Sequence, residues 1–373
     1  MNPAAIVWQD KVGVWLETAG SRRPVAALWP ALEQALAQAG SDSWAVGFAG
    51  YEWAATLDPL VAVREGRPTV PLAWWAVAGS AQAWRRPPDP CGHLRRLSLR
   101  GCSLSDEQYR EGVARIREAI AAGDVYQVNL TRRWQATGVT DSAALFSDLV
   151  GRTSPRYGAY LADSRQGWAV MCLSPELFLA RQGKELVTRP IKGTRRRELG
   201  RAGRAQARAA LASSEKDAAE LAMIVDLERN DLHRVCRPGS VRVQRAAAAL
   251  SAGDVIHHEA VVAGELDEGV GWREILTSTF PGGSVTGAPK LAACRMIAAL
   301  EPVARGVYCG MLGVLRACGD AVFALPIRTG VAHGDILEFH AGGGVVWDSD
   351  PAAEERESRD KVAGWLRLAG GDG

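Results

Sequence analysis

Two groups of opposite chemistry flank one short stretch of this chain. Ser174-Pro175-Glu176 precedes, and Arg189-Pro190-Ile191-Lys192-Gly193-Thr194 ends, a segment that reads as a β-hairpin around Gln182-Gly183-Lys184. A three-residue loop puts Glu176 opposite Pro190 and makes it a diagonal neighbour of Lys192, roughly 7–8 Å away between backbones. A two-residue loop reverses that parity and separates the two. On one sheet face, a carboxyl group and an amine can serve one small substrate as acid and nucleophile.

Two acidic pairs could hold a metal. Asp217 and Glu220 stand three residues apart at the start of a helix over residues 215–230, and Glu354, Glu357 and Lys361 share a face of the last helix. Without a Cys/His cluster, any metal would be hard and oxygen-ligated; Mg2+ is the natural choice, bridging carboxylates to an anionic substrate group. The same spacing is common on solvated helix faces. The helix over 215–230 is apolar nearly all round through Leu221, Ala222, Met223, Ile224, Val225 and Leu227, which predicts burial. Its dipole favours carboxylates in the first turns, but burial beside so much apolar surface asks for a cation as well.

Gly282-Gly283-Ser284-Val285-Thr286-Gly287-Ala288-Pro289-Lys290 fails the GxxxxGK[ST] pattern of a phosphate loop. Leading into a helix, it can still bind an anion through backbone N–H groups, a carboxylate as readily as a phosphate. His257-His258 are adjacent, so in a strand they point apart, which suits hydrogen bonding better than a metal pair. No Ser-His-Asp arrangement or nucleophile elbow is visible. Only six of the 44 basic residues are lysine, and Lys192, Lys216, Lys290 and Lys361 all fall in these stretches. Lysine can lose its proton near neutrality, and arginine cannot.

The elements that must position these groups are read from patterning. Residues 1–95 alternate Trp-rich strands with Pro and Gly breaks around one helix at 30–39, followed by the Pro-rich linker 85–90. Ser105-Asp106-Glu107-Gln108 is a capping box that starts a helix ending at Gly123. In the following strand Tyr126, Val128 and Leu130 point one way and Gln127, Asn129 and Thr131 the other. Such a polar face is solvated or lines a site; taken alone, it favours solvent. Residues 307–316, 321–331 and 336–346 read as a three-stranded meander, with Gly342-Gly343-Gly344 where backbone can approach a ligand. Asp350 and Pro351 open the final helix. Strong hairpin signals and weak β–α alternation give an α+β fold on antiparallel sheets.

The 373 residues are 47% hydrophobic and 23% charged with a formal charge of +2, so nothing points to nucleic acid or a membrane as partner. The six arginines in 195–208 have no interleaved aromatics and read as a solvated face. No apolar run is long enough to span a membrane, and the N-terminus lacks a signal-peptide pattern. Seven scattered cysteines without a CxxC pair fit a reduced, cytoplasmic protein.

Six ordered motifs resemble the chorismate-utilising enzymes: Tyr126-Gln127-Val128-Asn129-Leu130, Ser174-Pro175-Glu176, Arg189–Thr194, Asp226-Leu227-Glu228-Arg229-Asn230-Asp231, Phe280–Lys290, and Gly342-Gly343-Gly344 leading to Asp348-Ser349-Asp350-Pro351. The resemblance covers residues 104–365 as a chorismate-binding catalytic domain; residues 1–95 look more weakly like that family's N-terminal region, packed on the core. It implies an antiparallel β-sandwich flanked by helices. It also implies Glu220 and Glu357 as principal Mg2+ ligands, with Asp217 and Glu354 in support, Glu176 as general acid and Lys192 as a nucleophile on C2 of chorismate, a step that needs the unprotonated amine. Arg328 and Tyr308 match positions that hold the enolpyruvyl carboxylate, and Gln127, Gly193, Thr194, His257, Gly342, Gly343, Gly344 and Lys361 match further substrate-binding positions.

Within the family, Gln127 with Lys192 resembles the aminodeoxychorismate synthase pattern: members that add water carry lysine at the first position, and anthranilate synthases usually carry alanine at the second. The resemblance therefore implies amination of chorismate at C4 on the route to 4-aminobenzoate and folate. With no Cys-His amidase motif, it implies ammonia from a separate glutamine amidotransferase subunit. Amination at C2 with pyruvate release, or a non-catalytic chorismate-binding protein, are the alternatives. Trp347 departs from the family pattern, which has a smaller residue before Asp348.

Overall fold

The computed structural model describes residues 3–18, 21–66, 69–79, 97–196, 211–252 and 255–368, with positions 203, 205, 206 and 209 between them. The linker expected at 85–90 and most of the arginine run 195–208 lie outside these residues.

Among the described residues, two antiparallel sheets carry the fold. The larger has twelve strands, eleven of them in the order Ile191–Arg196, Val255–Glu265, Glu185–Arg189, Leu177–Gln182, Ala321–Ala324, Met311–Arg316, Trp44–Ala49, Ala73–Ala78, Ala5–Gln9, Val14–Thr18 and Ser21–Val25. Arg242–Ala252 also pairs with Val255–Glu265. The smaller sheet has seven: Gly287–Ala288, Gln127–Thr137, Ile336–Val345, Thr329–His333, Trp168–Ser174 and Tyr157–Asp163 in order, with Ser98–Cys102 beside Gln127–Thr137. Strands of the N-terminal region thus continue the sheet that holds Lys192, through the pairing of Trp44–Ala49 with Met311–Arg316.

Alternation along the strands feeds separate cores. Ile6, Trp8, Phe48 and Trp74 of the larger sheet meet Leu161, Trp168, Val170 and Cys172 of the smaller one. There the Trp168 ring lies edge-on to Phe48 at 5.7 Å and to Trp74 at 5.3 Å. The alternate residues Val7, Ala45, Trp75 and Val77 pack with Trp29, Leu32 and Leu36 of helix Leu28–Ala39. On the smaller sheet Trp134, Met171 and Phe339 pack with Leu145 and Leu149 of Ser142–Thr153 and with Val362 and Trp365 of Pro351–Leu368. The result is an antiparallel sandwich with helices outside it, an α+β fold.

Local chemistry sets the helix starts. Ser105 Oγ accepts from the Gln108 N–H at 3.1 Å and Gln108 Oε1 accepts from the Ser105 N–H at 2.9 Å, closing the capping box of Asp106–Ala121. Asp350 Oδ1 accepts from the Ala353 N–H at 2.8 Å ahead of Pro351–Leu368.

Three expectations change. The stretch 307–346 is not one meander: Ala321–Ala324 belongs to the larger sheet and Thr329–His333 to the smaller. The chain crosses between them at Pro326, which has no N–H to donate, and at Arg328, whose φ is +51°. The face of Gln127, Asn129 and Thr131 is buried, at 0%, 7% and 1% exposure, because the Glu301–Arg305 segment and residues 286–288 cover it. Helix Glu215–His233 is not buried all round: Ala222 is exposed, and the covered face includes Glu228 and Asp231.

Candidate active site

The hairpin turn holds two residues, Gly183 and Lys184, because Gln182 pairs with Glu185 and Arg181 with Leu186. That parity alone would separate Glu176 from Lys192. A bulge between Leu177 and Ala180 inserts one extra residue, so Leu177 pairs with Arg189 and the register at Glu176 returns to that of a three-residue loop. Beyond Pro190 the chain continues along the same partner strand: Thr188 faces Val262, Ile191 faces Glu259 and Lys192 faces His258. Gly193, at φ +65°, is the extra residue of a second bulge, which shifts Thr194 opposite His257. The Thr194 side chain lies outside the described residues.

Glu176 and Lys192 meet at Ser284. Its hydroxyl donates to Glu176 Oε1 at 2.6 Å, and its carbonyl accepts from Lys192 Nζ at 3.4 Å. Glu176 is 3% exposed, and burial pushes its carboxyl up to about 7. The Ser284 hydroxyl, then the Lys192 charge and the Ile191 N–H, oppose that rise. Ser284 is the functional residue that sequence reasoning passed over: its loop was read for backbone anion binding, whereas it offers a hydroxyl to the acid and a carbonyl to the amine.

Across from the amine stands Gln127, fully buried, with neither amide atom hydrogen-bonded among the described residues. Such an amide suits a group that arrives from outside. Gly344 leaves the room: a Cβ there would lie 2.7 Å from Gln127 Nε2 and 3.1 Å from Lys192 Nζ. Gly344→Ala is therefore expected to fold yet lose about a hundredfold in turnover, since a displacement near 1 Å at reacting groups costs that much. Product formation by a variant with an unchanged melting temperature checks this; wild-type turnover would mean that no reacting group uses the space.

The acids gather next to these contacts. A Cβ on Gly343 would lie 2.9 Å from Glu354 Oε2 and 4.0 Å from Glu357 Oε1, and one on Gly193 would lie 2.9 Å from Asp217 Cγ. Gly193 and Gly343 are the chain neighbours of Lys192 and Gly344, and Glu220 follows Asp217 by one turn on the same helix. Ser349 Oγ donates to Glu354 Oε1 at 2.7 Å, and Lys361 Nζ donates to Glu357 Oε1 at 2.7 Å and to the Gly342 carbonyl at 2.8 Å. Among the described residues no three acids, histidines or cysteines form a ready-made cage. Glu354 and Glu357 beside Gly343, and Asp217 beside Gly193, are oxygen donors of the hard kind that Mg2+ takes, an ion that keeps several waters and uses one or two carboxylates together with substrate oxygens.

Arg328 Nη2 donates to His257 Nε2 at 3.3 Å, and His257 Nδ1 lies 3.0 Å from the Gly193 carbonyl. A guanidinium only donates, so the ring proton sits on Nδ1. Burial, and then the Arg328 charge, lower His257 to about 4, so the ring is neutral near pH 7. Tyr308 is buried and stacks on His340 at 5.1 Å. Its neighbour Cys309 donates its N–H to the Pro326 carbonyl at 3.2 Å, next to the crossing that carries Arg328. Trp347 is exposed, and its carbonyl accepts from Arg117 Nε at 3.1 Å.

Residues 6–367 match the family model described as chorismate binding enzyme. The chain is 42% identical over 264 residues to anthranilate synthase component 1 of Streptomyces coelicolor, covering 71% of this chain and 52% of that relative. It is 37% identical over 314 residues to aminodeoxychorismate synthase component 1 of Escherichia coli K12, covering 84% and 68%. The chain thus spans about half to two thirds of the length of these relatives. Its fold superposes on anthranilate synthase component I from Streptococcus pneumoniae TIGR4 with a TM-score of 0.82 at 24% identity, over 99% of this chain and 91% of that one. No helix among the described residues is long and apolar enough to cross a membrane.

Proposed function

The chain belongs to the chorismate-binding enzyme family, and from that premise we propose that it aminates chorismate at C4, giving 4-amino-4-deoxychorismate, with ammonia delivered by a separate glutamine-hydrolysing subunit. The observation that carries this reading is the joint hold of Ser284 on a buried acid and an amine.

Glu176, about half protonated at pH 7 and increasingly so below it, gives its proton to the departing C4 hydroxyl. The Lys192 amine attacks C2 as both conjugated ring double bonds shift, C1=C2 to C1=C6 and C5=C6 to C4=C5, and the C4–O bond breaks, releasing water. Ammonia then attacks C4, both double bonds shift back, and the C2–N bond to Lys192 breaks. Gln127, which has no hydrogen-bond partner of its own among the described residues, lies beside Gly344 and Lys192, within reach of the groups bound there. Arg328, with neutral His257 fixed behind it, pairs with a substrate carboxylate. Glu220 and Glu357, supported by Asp217 and Glu354, would hold Mg2+, which supplies charge neutralisation for the ring carboxylate.

The nearest rival is the anthranilate synthase reaction, and a relative of that name is among the most similar. Lys192 favours the C4 reaction, because C2 is then occupied by the enzyme when ammonia arrives. Incubation with chorismate, Mg2+ and ammonium tests the choice. The expected product is 4-amino-4-deoxychorismate without pyruvate; stoichiometric anthranilate and pyruvate would replace this proposal with the C2 reaction.

A further inference from the structure

Behind the Ser284 loop lies a buried ion pair that takes no part in the steps above. The side chains of Arg305 and Glu301 are 1% and 3% exposed. Arg305 Nε and Nη2 donate to the two Glu301 oxygens at 2.9 and 2.6 Å. Nη1 donates to the Val285 carbonyl at 2.8 Å and Nη2 to the Asn129 carbonyl at 2.7 Å. Glu301 Oε1 also accepts from the N–H and the hydroxyl of Thr131, at 2.8 and 2.9 Å. One guanidinium thereby ties the residue next to Ser284 to the strand that carries Gln127. The N-terminal region grips the same arginine from behind: the Tyr51 ring lies 4.7 Å from the guanidinium carbon, and the Glu52 carboxylate accepts the N–H groups of Arg305 and Gly306 at 2.7 and 2.9 Å.

A buried ion pair is a weak source of net stability, because desolvation offsets most of its attraction. What this planar fork secures is geometry, since it reaches carbonyls on two separate segments while holding both Glu301 oxygens, four bonds where a lysine has only three donors. We propose that Arg305 is a positioning residue for the acid: by holding Val285 and Asn129 together, it sets the Ser284 hydroxyl against Glu176. The inference rests on the assignment of Glu176 as the proton donor.

The charged and titratable groups facing Glu176 are Lys192 and Glu259 on neighbouring strands, Glu228 on helix Glu215–His233, and Cys309 in the turn after Tyr308. Among the influences that hold its carboxyl down against burial, the Ser284 bond is the largest. Loosening that bond must therefore raise the pH at which Glu176 titrates.

The test compares Arg305→Lys, Ser284→Ala and the double variant. Glu176 is followed by difference infrared titration, its carboxyl band identified by its absence in Glu176→Gln. Ser284→Ala is expected to move the midpoint up by about one pH unit. Arg305→Lys should move it the same way, and the double variant no further than Ser284→Ala alone. An unmoved midpoint in Arg305→Lys beside a moved one in Ser284→Ala, or additive shifts, would overturn the inference, as would an unmoved midpoint in Ser284→Ala. If Arg305→Lys does not fold, Glu301→Gln, which still gives Thr131 an acceptor, carries the same expectation and the same refutation. The titration needs no turnover. A wild-type protein that fails to aminate chorismate while the variants shift as stated would therefore remove the functional proposal and leave the positioning role standing.

Discussion

Lys192→Ala is expected to lower C4 amination of chorismate at least about a hundredfold, with any residual aminated product carrying its nitrogen at C2. The amine points into the gap left by Gly344 and donates to the Ser284 carbonyl, so its removal takes away no core packing and the variant should fold. Without it, C2 is open to ammonia, and the proton donor Glu176 still stands at Ser284. Chromatographic identification of the products, with a pyruvate assay, separates the outcomes. Undiminished C4 amination in the variant would end the covalent role of Lys192 and leave it as a charge beside the acid. A loss of both products with an unchanged melting temperature would keep the lysine essential but deny that it selects the position of attack.

Much of this site was legible before the structure because its residues fall in short motifs whose order survives folding. Glu176, Lys192 and the two acidic pairs were all named from type and spacing, and strong hairpin signals with weak β–α alternation were enough to imply an antiparallel α+β fold. What failed was long-range and arithmetical. The hairpin loop is one residue shorter than the favourable case, and a bulge near Phe178 compensates; one-residue insertions of that kind leave no composition signal. The Gln127 face looked like a solvated strand because a polar amide gives no hint of what covers it. Here the cover is Glu301 and Arg305, 170 and 176 residues further along the chain from the groups they bind. Ser284 was hidden for a different reason: in a glycine-rich loop the backbone draws attention, and a hydroxyl is too common to stand out. The crossing at Arg328 was missed because a run of apolar residues reads as one strand, whereas a positive φ at a non-glycine residue is set by tertiary packing.

Glu176→Gln should abolish proton donation and at the same time stabilise the protein above neutral pH. Loss of a positioned general acid costs about a hundredfold to ten-thousandfold in rate. The stability argument follows from the same burial. The carboxyl rises from 4.5 to about 7 on folding. A group raised in this way contributes stability that is fully present below about pH 4.5 and is lost as the pH climbs through about 7, because the folded state must then ionise a buried acid that the unfolded chain ionises freely. Over that interval the wild type loses up to about 3 kcal/mol that a glutamine, with no proton to lose, retains. Glutamine still offers an oxygen to the Ser284 hydroxyl, so the loop contact persists. Glu52, also near 7, is present in both proteins and cancels from the comparison. Melting temperatures of the two proteins at pH 5 and pH 8 supply the measurement, and the gap should open by a few degrees in favour of the variant at the higher pH. A gap that stays constant would mean that Glu176 is ionised at neutral pH in the folded protein and cannot be the proton donor. If the gap opens, the acid is kept protonated by the fold at the cost of stability, which is the trade expected where a buried group is held ready for chemistry.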